Sequence, residues 1–166
     1  RAGAHPHRRR AETEDDGEWY LLSSSTTKAG ANTNRDININ IASSYINGKI
    51  LQPNEKFSFW DTVGKCTYDK GYKDATVYNN GKKTKGIGGG VCQVSTTVNM
   101  AVKSAGIKTN ARQHSLPVSY ASREDEATVS FGNTDFKFTN TTGKTIMLVM
   151  GSVDGSCTCE VWAKYE

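Results

Sequence analysis

Three consecutive glycines stand directly before a helical pattern, and this junction constrains the fold more than any other stretch of the chain. The segment KGIGGGVCQVSTTVNMAVKSAG covers residues 85–106. Apolar side chains recur along it at helical spacing, at Val91, Val94, Val98, Ala101, Val102 and Ala105. The spacing predicts an amphipathic helix that ends at Gly106, because glycine is a common C-terminal stop.

The predicted helix carries a cysteine, Cys92, in its first turn and away from its apolar face. At about 100° per residue, its side chain points roughly 135° from the centre of the apolar stripe. Unpaired N–H groups and the positive end of the helix dipole lower the pKa of a thiol placed there. Gly88, Gly89 and Gly90 leave the approach to the thiol open. Free cysteines are usually buried and inert, so position alone also allows a structural cysteine under the glycine turn.

Glycines that open a helix also suggest a phosphate-binding loop, but the spacing excludes the two common kinds. A P-loop needs Lys followed by Ser or Thr after its glycines, and this chain has VCQ there. The G-x-G-x-x-G spacing of dinucleotide-binding folds is also missing from this segment.

A nucleophilic cysteine needs a base, and the chain has three histidines, His5, His7 and His114. The first two lie in RAGAHPHRRRAETEDDGEW, a charged opening without apolar pattern that is typical of a linker. Elimination leaves His114, on a predicted edge strand over 114–120. A cysteine at a helix N-terminus with a histidine on a following strand is used by cysteine proteases and thiol acyltransferases. A histidine without catalytic value is the alternative.

Length and composition predict one soluble, loop-rich globular domain. The 166 residues predict a tail over 1–20 and a domain over 21–166, and 36% are hydrophobic. No apolar run approaches the roughly 18 residues that span a bilayer. Without an initiator Met or signal peptide, we expect a piece of a longer chain, with any membrane anchor outside it. The net charge of +4 suits a polyanionic cell wall, and we expect no nucleic-acid partner because basic residues are dispersed.

The four cysteines do not form a zinc-binding pattern. Cys157 and Cys159 are two residues apart on a predicted strand and therefore face one side of it. Cys66 pairs with either of them or all remain free thiols, and the sequence does not decide between these. We expect no metal and no cofactor.

The remaining pattern predicts an α+β fold with two principal helices and a mostly antiparallel sheet in a single domain. The first helix is predicted to start at Asp36 and stop at Gly48, with apolar residues Ile37, Ile41, Tyr45 and Ile46. EKFSFWDTVG predicts a short strand, and DATVYNNGKKTKG predicts a hairpin that turns at Asn80-Gly81. Further strands are predicted at 114–120, 126–131, 135–140, 144–150 and 157–165, the last two joined by an Asp154-Gly155 turn.

Four stretches together resemble the VanW domain, a family named from vancomycin-resistance gene clusters. They are NGKILQPNEKFSFWDTVGKCTYDKGYKDA, GIGGGVCQVSTTVNMAV, HSLPVSY and ATVSFGNTDFKFTNTTGKTI. The resemblance runs from about residue 33 to residue 146. It implies a bacterial cell-envelope protein, because family members often carry a membrane anchor and wall-binding modules.

The resemblance also implies an activity, since some VanW domains are described as L,D-transpeptidases. Cys92 is then the nucleophile and His114 its partner, acting on peptidoglycan stem peptides outside the cell. From the residues themselves we expect the N–H groups around Gly90 to Cys92 to stabilise the oxyanion, with Gly88, Gly89 and Gly90 lining the approach of the substrate. The residue that orients His114 is left open by the sequence. The candidates by type and proximity are Asp135, Glu126 and Ser115.

Two other functions compete with cross-linking. A cysteine amidase or endopeptidase acting on peptidoglycan needs the same pair and differs in whether water or an amine resolves the thioester. A noncatalytic wall-binding or scaffold domain needs Cys92 only as a structural residue.

Overall fold

The chain forms a four-stranded sheet with its helices on one face, in a computed structural model that describes residues 18–79 and 81–166. The strands are β1 (Trp19–Lys28), β2 (Lys49–Leu51), β3 (Lys56–Ser58), β4 (Asp74–Asn79), β5 (Lys82–Ile87), β6 (Lys137–Thr139), β7 (Ile146–Val153) and β8 (Ser156–Lys164). The α-helices are α1 (Thr33–Ile46), α2 (Phe59–Val63) and α3 (Val91–Ser104), with 3₁₀ turns at Tyr68–Lys70 and Arg123–Asp125.

The main sheet has the order β1-β8-β7-β2, and every pair in it is antiparallel. β3 pairs with β6 and β4 pairs with β5, each as a separate two-stranded ladder. Two 14-residue helices and antiparallel strands confirm the predicted α+β class. The β7–β8 hairpin turns at Asp154 and Gly155, both with positive φ, as predicted. The β4–β5 hairpin also forms as predicted, although Asn80 lies outside the described residues.

Alternation along β7 and β8 separates the two faces of the sheet. Cys157, Cys159 and Val161 face the main core under α1 and α3. Trp162 faces the other side, in a small buried cluster with Trp19. The core therefore lies between the sheet and the two long helices, and both long helices are fixed against it.

The predicted glycine-preceded helix is α3, and its surroundings are more enclosed than its pattern indicates. The predicted apolar face is buried, but so are Thr96 and Asn99 on the opposite side. The Ala127 N–H donates to Thr96 Oγ1 at 3.0 Å, and Asn99 Nδ2 donates to the Asp125 carbonyl at 3.0 Å. The segment over 125–127 thus covers the polar side of α3, which amphipathicity alone does not reveal.

The first predicted helix exists as α1, but it starts earlier than predicted, and its buried face includes the predicted Ile46 but not Tyr45. The N-cap is Asn32, whose side chain accepts from the Arg35 N–H, and not Asp36. Tyr45, expected in the apolar face, is 44% exposed. The buried face is instead Asn38, Ile39, Ala42, Ser43 and Ile46. Buried Asn38 explains the error, because it packs inward to bind the carbonyls of residues 73 and 89.

Three predicted strands differ from the structure. The strand over 55–64 is short, since Ser58 ends β3 and caps α2 by accepting from the Asp61 N–H. Residues 114–120 and most of 126–131 form no strand, because the buried Glu126 carboxylate takes hydrogen bonds that a ladder would use. The strand predicted over 135–140 contains β6, and the strands predicted over 144–150 and 157–165 overlap β7 and β8.

The first strand of the main sheet, β1, has no counterpart among the predicted strands. β1 begins at Trp19 and pairs along its length with β8, so it starts two residues before the predicted domain boundary at residue 21. Residues 1–17, with His5 and His7, lie outside the described residues. Within the described part of the chain, no helix is long and apolar enough to cross a membrane.

Candidate functional site

Cys92 lies in the first turn of α3 and is half-buried. The helix starts after Gly90, which has φ 109° and ψ −17° and supplies no side-chain cap. The Val91 N–H donates to the Gly88 carbonyl at 3.3 Å and the Gln93 N–H to the Gly90 carbonyl at 3.0 Å. Among the described residues, no carbonyl accepts from the Cys92 N–H that lies between them. This N–H therefore remains available to a ligand near the sulfur.

The three glycines allow the turn before Cys92 to pack closely on its neighbours. A Cβ on Gly89 would lie 2.5 Å from the Thr76 carbonyl oxygen in β4. A Cβ on Gly88 would lie 2.9 Å from Cys66 Cβ, and Gly88 has φ 82°. Larger residues would push the turn away from β4, so the glycines fix the position of the first turn of α3.

The Cys92 sulfur contacts the main chain of Val129 and the side chain of Thr128. Its Sγ lies 3.4 Å from the Val129 carbonyl oxygen and 3.5 Å from the Val129 nitrogen, whose N–H donates to it. The Thr128 hydroxyl lies 3.8 Å away. Donors aimed at the sulfur favour its ionised form.

His114 is the side-chain partner of this thiol. Burial alone raises the pKa of Cys92, but the hydrogen bond and the positive charge of His114 outweigh it and the Cys92 pKa is lowered. Burial alone lowers the pKa of His114, but the hydrogen bond and charge of Cys92, and then those of Glu126, raise it. The two opposite shifts favour a thiolate beside an imidazolium.

Glu126 holds the imidazole from the other side. Its Oε1 accepts from the His114 main-chain N–H at 2.7 Å and lies 3.0 Å from His114 Nδ1. Both side chains are almost fully buried, at 2% and 0% exposed. Burial works against ionisation, but the N–H groups of His114 and Val118 outweigh it and lower the pKa of Glu126. With Nδ1 bonded to the carboxylate, the other ring nitrogen is left for the sulfur.

Arg123 completes this arrangement. Its Nη1 lies 3.3 Å from Glu126 Oε1, and its Nη2 donates to the His114 carbonyl at 3.0 Å. One guanidinium thereby ties the carboxylate to the main chain of the histidine. The segment over 114–126 keeps a fixed irregular shape because these charged groups replace a strand ladder.

Of the three candidates for orienting His114, the structure brings Glu126 to the ring and places the other two elsewhere. Asp135 accepts from the Ser58 hydroxyl, from the Trp60 N–H at 3.0 Å and from the Phe136 N–H at 2.8 Å. It thus caps the start of α2. Ser115 follows His114 directly but is exposed.

The other cysteines have different surroundings, and all four are free thiols. Cys66 is half-buried and lies against Gly88. Burial raises the pKa of its thiol, and the negative charge of the nearby Cys92 thiolate raises it further. Cys157 and Cys159 are fully buried on one side of β8, as predicted, and burial raises their pKa as well. The described residues contain no cluster of His, Cys, Asp or Glu that could hold a metal ion.

Some contacts could not be found from the sequence. Arg123 lies in a charged stretch with no pattern that assigns it a partner, and Thr128 and Val129 belong to a predicted strand. The main-chain groups of residue 129 reach the sulfur only because Ser95 and Thr96 bind the Ala127 main chain to α3. The sequence pattern did not show that the polar side of α3 is buried, and this burial is what brings residues 127–129 to the sulfur.

Comparison of the sequence with known proteins assigns the chain to a family. The family model described as VanW like protein matches residues 34–162, which include Cys92, His114, Glu126 and Arg123. The protein YoaR of Bacillus subtilis (strain 168) is 39% identical over 127 residues, which cover 76% of this chain and 42% of YoaR. The vancomycin B-type resistance protein VanW of Enterococcus faecalis is 30% identical over 142 residues, covering 80% of this chain and 46% of that protein.

The chain therefore spans less than half the length of these two relatives. No solved structure matches it. The family match covers most of the chain and includes the whole cysteine–histidine–glutamate cluster, so the chain belongs to the VanW-like family.

Proposed function

We propose that Cys92, His114 and Glu126 are the catalytic residues of a cysteine acyltransferase that forms 3→3 cross-links in peptidoglycan. The observation that carries this proposal is the series of interactions from the half-buried thiol to a buried imidazole and a buried carboxylate, with opposite pKa shifts on Cys92 and His114. A nucleophile, a base and a group that orients the base make up the arrangement used for acyl transfer.

The first half-reaction transfers an acyl group to the sulfur. The Cys92 thiolate attacks the carbonyl carbon of the third residue of a donor stem peptide. The bond from that carbon to the nitrogen of the terminal D-amino acid breaks, and the His114 imidazolium gives its proton to the departing amine. The Cys92 N–H supports the oxyanion that forms on the way. The product is a thioester on Cys92 and a free D-amino acid.

The second half-reaction resolves the thioester. The side-chain amine of a neighbouring stem attacks the thioester carbonyl, and neutral His114 takes the proton that this amine loses. The carbon–sulfur bond breaks and the Cys92 thiolate is restored beside the imidazolium. Glu126 stays ionised throughout, because its pKa is lowered, and holds the ring in one orientation.

The place of action that we propose is the bacterial cell wall, outside the cytoplasmic membrane, with any anchor in a segment beyond this chain. The partner is the peptidoglycan stem peptide, and the mechanism needs no cofactor. The names of the relatives support a connection with cell-wall antibiotics only for the Enterococcus protein, which is described as a vancomycin resistance protein.

The test is muropeptide chromatography of purified peptidoglycan incubated with the wild-type chain and with Cys92→Ala. Cys66→Ala is the matched control, because it removes another half-buried thiol from the same neighbourhood. We expect 3→3 dimers from the wild type and the control, and none from Cys92→Ala. Stem peptides cleaved or released by water, without dimers, would identify an amidase or endopeptidase. Dimers that persist with Cys92→Ala would contradict a catalytic thiol.

A further inference from the structure

A groove on the molecule, away from the candidate site, does not include Cys92 among its lining residues. Its volume is about 820 Å³, within the usual range of ligand sites, and it lies by the β3–β6 ladder and the loop after α3. Gly106, just past the C-terminal end of α3, is one of its lining residues, whereas Cys92 lies at the N-terminal end. The groove is therefore separate from the candidate active site.

Four lysines from four different segments line this groove. They are Lys49 in β2, Lys56 in β3, Lys108 in the loop after α3 and Lys137 in β6. None of the four is ion-paired within the described part of the chain, whereas Lys103 and Lys144 each have a carboxylate partner. Asp61 is the single acidic residue of the lining. The groove is thus a concave surface with a local surplus of positive charge, which attracts polyanions.

The walls of the groove are fixed before any ligand binds. Thr109 forms a β-bridge with Phe138, and the Asn110 N–H donates to the Lys137 carbonyl at 3.2 Å. The Lys137 N–H in turn donates to Asn110 Oδ1 at 2.7 Å. Because the loop over 107–110 is bonded to β6 in this way, the main chain that carries Lys108 and Lys137 needs little ordering on binding.

The chemistry of the lining distinguishes among polyanions. The groove has lysines and no arginine, so it offers compact point charges, which bind phosphate oxygens without the planar fork by which arginine holds carboxylates and phosphates. Its two aromatic residues, Phe57 and Phe138, stack on each other with centroids 4.9 Å apart and are 1% and 4% exposed. They are not free to stack on bases, which single-stranded nucleic-acid sites require.

We infer that the groove binds a linear phosphodiester polymer of polyols, with its phosphates on Lys49, Lys56, Lys108 and Lys137. This is the class of anionic polymer that accompanies peptidoglycan in many bacterial walls. Such binding would hold the domain on the wall through a surface that takes no part in acyl transfer. The choice of this polymer rests on the cell-wall location proposed above, but it does not depend on the activity proposed for Cys92.

Fluorescence anisotropy with a labelled poly(glycerol phosphate) chain tests the inference in the intact chain. The double variant Lys56→Gln/Lys137→Gln removes two exposed groove charges without touching the main-chain bonds. The control Lys82→Gln/Lys85→Gln removes the same charge from the exposed β4–β5 hairpin. We expect the groove variant to bind roughly tenfold more weakly at low salt, with a salt slope smaller by about 1 to 2. The control should bind as the wild type does.

A second groove variant, Lys49→Gln/Lys108→Gln, should give the same loss from two other segments, so the result does not rest on one pair of side chains. Equal losses in the hairpin control would overturn the inference and leave only nonspecific charge attraction. Binding of poly-L-glutamate as tight as that of the phosphate polymer would overturn the choice of phosphate. Tighter binding of a single-stranded oligonucleotide of equal charge would assign the groove to nucleic acid instead.

Discussion

Cys92 and Cys159 are both free cysteines of one small domain, but their surroundings shift the pKa of the two thiols in opposite directions. Cys159 is fully buried on β8, and burial, with the charges of Cys157 and Glu160, raises its pKa well above the ordinary value. Cys92 also loses water, but His114 and the donors of residues 128–129 lower its pKa. Partners as well as depth therefore separate a reactive thiol from an inert one here.

The largest expected difference between the two regions is in alkylation of the native chain. With limiting iodoacetamide near neutral pH, Cys92 should react about a thousandfold faster than Cys159, which reacts only when the core opens. Peptide mapping of the labelled chain measures the ratio. Labelling of Cys157 or Cys159 ahead of Cys92 would erase the distinction.

Removal of the base should make Cys92 resemble the core thiols. His114→Asn keeps a side chain that can bond to Glu126 but cannot take a proton, so cross-linking should fall by roughly 10²–10⁴-fold. Muropeptide chromatography over a time course measures the rate. An unchanged rate would exclude His114 from proton transfer, whereas Ser115→Ala, next to it and exposed, should have no effect.

Loss of the buried carboxylate should affect both stability and reactivity. Glu126→Gln leaves fewer acceptors for the N–H groups of His114 and Val118, and we expect about 1–3 kcal/mol less free energy of unfolding. Urea titration measures this change, and alkylation of Cys92 should slow in parallel. A variant with unchanged stability and unchanged alkylation would show that Glu126 contributes neither to the stability of the fold nor to the reactivity of Cys92.

The same carboxylate predicts a pH dependence of folding. Because the folded pKa of Glu126 lies below its ordinary value of 4.5, its stabilising contribution is present above pH 4.5 and is lost as the pH falls through the folded value. The folded pKa of His114 lies above 6.5, so its contribution is full below pH 6.5 and is lost as the pH rises through the folded value. Urea titrations at several pH values should show both losses, and Glu126→Gln should lack the acid one.

The smallest expected effect is the loss of stability when either sulfur atom is removed from its packing environment. Cys92→Ala should cost about 1 kcal/mol or less, because the side chain is half-buried, and the fully buried Cys159→Ala somewhat more. Thermal melts followed by circular dichroism compare the two. A Cys92→Ala chain that fails to fold would mean that this thiol is mainly structural.

The sequence predicted the parts of the fold that local pattern determines. The glycine stop and apolar period gave α3, and the Asp154-Gly155 turn gave the β7–β8 hairpin. β1 was missed because its Ser- and Thr-rich middle has no apolar alternation, and its buried positions are set by pairing with β8. Long-range pairing of that kind leaves little signal in a single sequence.

The candidate site was predictable to the level of residue types but not of contacts. Chemistry and elimination selected Cys92 and His114, and Glu126 was one of three candidates for the third position. The sequence could not separate Glu126 from Asp135, because both are acidic residues near predicted strands. Only the folded segment over 114–126, closed by Arg123, shows which carboxylate faces the imidazole.

The pH dependence of Cys92 alkylation shows whether His114 keeps this thiol ionised. Rates of reaction with iodoacetamide are measured across pH for the wild type and for His114→Ala, each in a Cys66→Ala background. We predict a wild-type midpoint below the ordinary thiol pKa of 9.0, and a higher midpoint without His114, because burial then acts on the sulfur without a compensating charge. The same midpoint in both proteins, or a wild-type midpoint at or above 9.0, would contradict the account.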